Sequence, residues 1–315
     1  MSFYRAARAV TDASGDGPVD WVAVGEAAKS ITGRGDLSLT DAERERYADD
    51  VRTARDRVRS VAAVEFDLPD TIEVQHRHHW IDANVGTFQR VLEQLETPPS
   101  VVPGIARSIN TGSMAASIAF LANNVLGQYD PLLLANSDDH RLYFVHPNIG
   151  KVAAQLDVDR DRFTRWIAFH EVAHAAEFGA APWLTDYLED QIESTLEDLS
   201  QVRFNREAFR EIDATMTAVE GYAELIMDRA FDDEYDDLRR KLDERRSAAG
   251  PVTTLFRRLL GLGRKRRQYE RGKAFFEAVV AARDVETASL VWERPENLPT
   301  DEELDDPTKW LTRVA

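Results

Sequence analysis

The chain has 315 residues, of which 43% are hydrophobic and 30% charged, a balance typical of a folded globular protein with a sizeable core. It contains no cysteine, which excludes disulfide scaffolds, thiolate zinc fingers, iron–sulfur clusters and cysteine nucleophiles. Its formal net charge of −17 argues against nucleic-acid binding.

The kind of charge also carries information about the environment. Only six of the 39 basic residues are lysines. An acidic composition that is poor in lysine and rich in arginine is typical of proteins adapted to concentrated salt, so we expect a halophilic protein. The alternative is an ordinary acidic protein from a GC-rich genome.

Neither a targeting segment nor a membrane span is predicted. The first 17 residues lack the apolar core of a secretory signal peptide. The longest apolar stretch, Met114–Leu126, is interrupted by two asparagines and falls short of the ~20 residues that cross a bilayer. We therefore expect a cytoplasmic protein that makes no contact with membranes.

In chain order, residues 1–130 are predicted to be mainly helical. Thr40 and Glu43 form a capping box that opens a long helix, and Leu68-Pro69 ends that unit. A short strand and two further helices follow, at 71–75, 80–95 and 112–126. Two apolar runs on either side of a polar turn then predict a β-hairpin of residues 131–135 and 142–145.

From Asp159 onward the hydrophobic period is helical over most of the chain. Helices are predicted at 163–178, 184–199, 205–231 and 253–283, and the last is broken at 261–263. The tail at 294–299 contains two prolines and is predicted to be extended. The pattern indicates a mainly α fold with a small antiparallel sheet, in one compact unit of residues 1–315 whose part 131–315 carries the hairpin and the later helices.

Residues 170–174 read His-Glu-Val-Ala-His, the HExxH pattern. In a helix His170 and His174 lie one turn apart on the same face, so both imidazoles can bind one metal ion. Glu171 lies ~100° around the helix and can reach a zinc-bound water instead of the metal. The pattern therefore predicts a Zn²⁺ site with Glu171 as the general base.

A zinc site needs a third protein ligand. The metzincin pattern is excluded, because it requires glycine at position 177 and histidine at position 180. We choose Glu220, a carboxylate in the apolar stripe of a predicted helix, because a buried carboxylate must be paired or bound to metal. The neighbouring Gly221 would permit another helix to approach closely.

Glu224 lies one turn after Glu220 and could orient His170 or His174 through the free ring nitrogen. For both glutamates the alternative is pairing with buried arginines. Four other carboxylates near the motif compete as ligands but have the pattern of solvated faces. They are Glu177, Asp186, Glu189 and Glu193.

Several segments together resemble the zincin-like metallopeptidases of the type 2 family. They are HEVAHAAEF, Pro182-Trp183-Leu184, AVEGYAELIMD, the RQYxxG of residues 267–272, and the tail sequences VWERPENLP and DPTKWLTRV. The resemblance implies a gluzincin-like zinc hydrolase in which His170 and His174 are ligands and Glu171 is the base, and it supports Glu220 as third ligand. Many members have histidine and aspartate where this chain has Tyr222 and Glu224.

Family members are catalogued as hydrolases or metallopeptidases without an established substrate. A branch is associated with biosynthesis of the deazaflavin coenzyme, and the acidic composition here resembles its haloarchaeal members. We expect hydrolysis of a peptide or small amide, with activated water attacking the amide carbonyl. Two alternatives stay open: a non-catalytic zinc-containing scaffold that binds a partner, and an accessory hydrolase of coenzyme biosynthesis that acts on a small metabolite.

Three further features each have both a functional and a simpler structural explanation. The hairpin is expected beside the HExxH helix, either as an edge that binds extended substrate or only as a cover for the core. The histidine-rich residues 75–79 indicate satisfied histidines more than a second metal site. The basic residues 257–273 indicate pairing with acidic helices of the same chain more than an anionic partner. Tyr269, Tyr187 and His146 are candidates to stabilise an oxyanion.

Overall fold

The structure is a computed structural model that describes residues 17–69, 71–93, 103–130, 140–200, 206–231, 237–238, 240–241 and 265–315. The described chain is mainly α-helical with a small three-stranded sheet, which confirms the predicted fold class. The first elements are α1 (Trp21–Ile31), α2 (Asp41–Ala62), β1 (Thr71–Gln75), α3 (Arg77–Glu93), α4 (Pro103–Ala122), β2 (Gly127–Asp130), β3 (Arg141–Val145) and α5 (His146–Leu156). The later helices are α6 (Arg160–Ala180), α7 (Leu184–Ser200), α8 (Arg206–Ala230), α9 (Lys265–Ala282), α10 (Val285–Ser289), α11 (Asp301–Asp305) and α12 (Pro307–Val314).

Most of these elements follow from local sequence signals. The capping box of Thr40 and Glu43 is present at the start of α2, and β1 covers the predicted residues. Helices α1 and α5 are not predicted by the pattern. His146-Pro147 ends β3 as expected but also begins α5, because proline fits the first turn of a helix. Among the described residues, no helix is both long and apolar enough to cross a membrane.

The chain forms two compact units that interleave in sequence. The first unit takes the described residues that fall within 1–39, 71–151 and 193–204, and the second takes those within 40–70, 152–192 and 205–315. Each unit thus combines segments from both sides of residue 130. The organisation as one compact unit stays a prediction.

The first unit is built around the sheet, whose strand order is β1-β3-β2. The sheet is mixed: β3 pairs antiparallel with β2, as the hairpin predicts but at residues 127–130, and parallel with β1, which the prediction of a small antiparallel sheet does not include. The parallel pair is possible because α3 and α4 supply the long crossover that such strands need. The predicted first hairpin strand, 131–135, lies outside the described residues. Helices α1, α3 and α4 pack together around a buried apolar cluster that includes Val24, Trp80, Ile81, Ile118 and Val145.

The second unit packs α6 against α2 and α8, and α8 against α9. Helix α6 is enclosed by its neighbours, since the four consecutive residues 166–169 are all buried. The crossing of α8 and α9 is especially close. A Cβ atom added to Gly272 would lie 2.9 Å from the Cα atom of Gly221, and one added to Gly221 would meet the backbone of Gly272. The close approach expected at Gly221 is therefore present, and its partner is Gly272 of the RQYxxG segment.

The C-terminal tail folds back on α9. The expectation of an extended segment at 294–299 is wrong, because Pro295 begins a short 3-10 turn that ends at Asn297. The indole N–H of Trp310 donates to the Asn297 carbonyl at 2.7 Å, and Trp310 is fully buried. Arg271 of α9 pairs with Asp301 and Asp305 at 2.6 Å each. The tail is thus an integral, packed part of the second unit.

Candidate metal centre

The HExxH residues lie near the C-terminal end of α6, which holds both histidines in one regular helix. The helix is capped at its start, where the Asp159 side chain accepts from the Arg162 backbone N–H at 2.8 Å. The ring centres of His170 and His174 are 4.7 Å apart, as expected for residues one turn apart. The Trp166 ring stacks on His170 at 5.7 Å between centres and 8° between planes. Stacking on one side leaves the His170 ring few orientations.

Glu220 of α8 completes a three-residue group with the two histidines. One ligand atom from each of His170, His174 and Glu220 lies within 4.8 Å of the other two, and this is the one group of potential metal ligands found among the described residues. The Nε2 atom of His174 is 3.9 Å from Oε2 of Glu220. Two imidazoles and a carboxylate are ligands that Zn²⁺ prefers, so the residues present fit the metal.

A second carboxylate contacts His174, and the sequence pattern did not predict it. Glu177 was expected on a solvated face, but its side chain is 0% exposed, and its Oε2 atom lies 2.8 Å from Nδ1 of His174. The expectation for Glu177 is therefore wrong. Its spacing is the signal that could have found it, since residues three apart in a helix lie on the same face. Asp186 and Glu193 are exposed as expected, and Glu189 is half-buried.

The electrostatic potential around His174 is negative, because three glutamate side chains act on its imidazole. Burial lowers the pKa of the His174 imidazole, but Glu177, with further contributions from Glu220 and Glu171, outweighs burial and raises this pKa to about 9. Burial raises the pKa of the Glu177 carboxyl to about 7, and nearby Glu220 adds to the rise against the opposing effect of His174. Groups that stabilise a positive charge on the imidazole would also attract a divalent cation.

Four glutamates near the histidines are buried: Glu171, Glu177, Glu220 and Glu224. At His174 the carboxylate within hydrogen-bond distance of Nδ1 is that of Glu177, whereas the sequence predicts Glu224 as the residue that orients His170 or His174. Orientation of His170 by Glu224 stays a prediction. Tyr222 has a structural task, because its hydroxyl donates to the Ala62 carbonyl at 2.7 Å and its ring packs edge-on against Trp292.

The remaining candidates have local partners within the described residues. His76 accepts from the His79 backbone N–H through Nδ1 at 3.1 Å, and His78 bonds to the Thr32 carbonyl at 2.7 Å. This agrees with the interpretation as satisfied histidines. In the basic segment Lys273 pairs with Asp228, which agrees with internal pairing, while residues 257–264 lie outside the described residues. Oxyanion roles for Tyr269, Tyr187 and His146 stay predictions.

The fold and the site together define a mainly helical protein in which an HExxH helix faces a glutamate-bearing helix. The pattern of the zincin-like metallopeptidase family matches residues 19–203 and 194–311. The chain therefore belongs to the zincin-like metallopeptidase family. This membership implies a metal ion, usually zinc, and a general hydrolase class.

One solved structure resembles the whole chain. It comes from Chloroflexus aurantiacus and is described as a provisionally assigned hydrolase with a novel fold. The two are 29% identical, with a TM-score of 0.75, and the alignment covers 99% of this chain and 97% of the other. A comparison with curated proteins found no match.

Proposed function

We propose that the chain is a zinc-dependent amide hydrolase, most simply a metallopeptidase. The observation that carries the proposal is the convergence of His170, His174 and Glu220 within 4.8 Å, with Glu171 directly after His170 in the sequence. Imidazole nitrogens and a carboxylate oxygen are the ligand types that zinc prefers, so these three residues would hold the ion.

In this proposal His170, His174 and Glu220 hold the ion, and Glu171 is the general base. Bound zinc supplies Lewis-acid chemistry, which acidifies a water molecule and polarises a substrate carbonyl. Glu171 is buried and cannot turn to the same point as the two histidines, since it lies about 100° around the helix. It accepts the proton of the attacking water and then returns a proton to the leaving amine.

The carboxylates of the site have a further effect on the reaction. Burial of Glu171 and Glu220 keeps bulk water away, so their charges act at low effective dielectric. The presence of this base beside the ligand pair favours catalysis over the alternative of a zinc-containing scaffold, which would need only the ligands.

The test separates metal binding from chemistry. We expect one equivalent of zinc per chain by plasma emission, and its loss in His170→Ala and His174→Ala. Glu171→Gln should keep the zinc and lower hydrolysis of a quenched-fluorescent peptide mixture by at least about 100-fold, the lower limit for loss of a general base.

Two results would contradict the proposal in different ways. Full zinc content in both alanine variants would remove the metal centre. Full zinc in the wild type, with no peptide or small-amide hydrolysis that depends on Glu171, would favour the scaffold alternative. Cleavage of small amides alone would favour the alternative of a metabolite hydrolase.

A further inference from the structure

Glu177 is a buried carboxylate at the site that the proposed reaction does not use. It lies three residues after His174 on α6, and its side chain is 0% exposed. The group that can hold a metal consists of His170, His174 and Glu220 and does not include it. Its Oε2 atom is 2.8 Å from Nδ1 of His174, which is a well-formed hydrogen bond.

We propose that Glu177 is a positioning residue, which accepts a hydrogen bond from Nδ1 of His174 and so presents Nε2 to the metal. This inference rests on the proposed function and adds a residue to it. A neutral imidazole has one N–H and one lone pair. With the proton held at Nδ1 by Glu177, the lone pair is at Nε2, which is the atom that faces Glu220 at 3.9 Å.

The side chain lengths make glutamate the fitting residue at this position. An aspartate would be shorter by one carbon–carbon bond, about 1.5 Å, and would draw its oxygen out of hydrogen-bond range. A glutamine would keep the length and an accepting oxygen, but it would lose the charge that strengthens the bond and raises the basicity of the ligand.

Burial also separates Glu177 from substrate. The His174 side chain keeps 14% of its surface exposed, whereas Glu177 keeps none. Glu177 can therefore not contact substrate itself, and its hydrogen bond to His174 is the contact through which we propose that it acts. The same burial means that its removal leaves a cavity, so the isosteric glutamine is the informative change.

The experiment compares wild type with Glu177→Gln as full-length, zinc-loaded proteins. Competition with a chromogenic chelator should show zinc affinity about 10–100-fold weaker in the variant, the usual loss when a partner of a ligand histidine is removed. The absorption spectrum of the cobalt-substituted protein should shift, because the field at His174 changes. Glu189→Gln, a half-buried glutamate on the next helix, should match the wild type in both measurements.

Nitrogen-15 NMR of the histidine rings gives a readout that a purely structural role would not move. In the zinc-loaded wild type, His174 should show a protonated Nδ1 and a metal-bound Nε2. Binding through Nδ1 would overturn the proposal, as would equal zinc affinity and equal cobalt spectra for wild type and Glu177→Gln. If the wild-type protein binds zinc and its hydrolytic activity depends on Glu171, those results overturn only the proposal for Glu177. A wild type that binds no zinc overturns both proposals.

Discussion

At the scale of single residues, two carboxylates lie on opposite sides of the His174 imidazole, each near one of its ring nitrogens. Glu177 contacts Nδ1 of His174, while Glu220 lies 3.9 Å from Nε2. The same isosteric change to glutamine therefore has different consequences at the two positions. At Glu177 it weakens a hydrogen bond to a ligand, but at Glu220 it removes a proposed ligand from the metal.

Glu220→Gln should weaken zinc binding by more than about 100-fold, beyond the range for loss of a partner that only orients a ligand. The reason is that a neutral amide oxygen is a much poorer zinc ligand than a carboxylate. Chelator competition at constant pH measures the change. Glu189→Gln is the matched control and should bind zinc as the wild type does. An affinity for Glu220→Gln within about 10-fold of the control would show that another group is the third ligand.

The sequence is informative about the three residues that could hold a metal and less so about the residues around them. HExxH and a carboxylate in an apolar stripe were sufficient to select three residues that the fold brings within 4.8 Å. Glu177 was missed, because a charged residue near a helix end usually faces solvent. It is buried only because α6 is enclosed by other helices, which the local pattern does not show.

At the scale of elements, the crossing of α8 and α9 determines where Glu220 lies. Gly221 follows Glu220 directly, and the backbone of α9 passes against it at Gly272. Because these are backbone contacts, no rotation of a side chain could make room for a larger residue. The position of Glu220 and Glu224 on α8 thus depends on glycine at both Gly221 and Gly272, because a Cβ atom at either position would force the two helices apart.

Gly272→Ala should destabilise the protein by roughly 1–3 kcal/mol, the usual cost of inserting atoms into a packed core, less a gain of up to about 1 kcal/mol from helix propensity. Thermal unfolding measures this change, and zinc affinity should fall with it because α8 is displaced. Gly33→Ala is the control, since an added Cβ there meets nothing within 4 Å. Equal melting temperatures for the two variants would show that the crossing can relax.

Helices and strands can be predicted where their sequence signal is local, and less well where they depend on pairing with a strand that is distant in the sequence. The capping box of α2 and the full extent of β1 followed from the pattern. The parallel pairing of β1 with β3 joins residues about seventy positions apart, such as Thr71 with Arg141, and no local pattern records that choice of partner. In the tail, the two prolines predict an extended segment, although proline equally fits the first position of the turn that Pro295 begins.

At the scale of the whole molecule, the net charge of −17 predicts a response to salt. Like charges repel over about 10 Å at 0.1 M salt but only about 3 Å at 1 M. We expect a higher melting temperature in 2 M potassium chloride than in dilute buffer, by scanning calorimetry. The control is a neutral sugar at equal osmolality, which stabilises by exclusion without screening. An unchanged or lower value in salt, or an equal rise in sugar, would count against the halophilic interpretation.

The interleaving of the second unit has a consequence for biosynthesis. The Ala62 carbonyl at the end of α2 accepts hydrogen bonds from Tyr222 and Ser289, which lie 160 and 227 residues later. At about 5–20 residues per second, the ribosome needs roughly 10–45 s to deliver the second of these partners. Until α6 and α8 have been synthesised, the apolar face of α2 lacks the helices that cover it in the folded second unit. The second unit can therefore be completed only after Ser289 has emerged, and a chain released before that point should bind chaperones and should not fold into an active fragment.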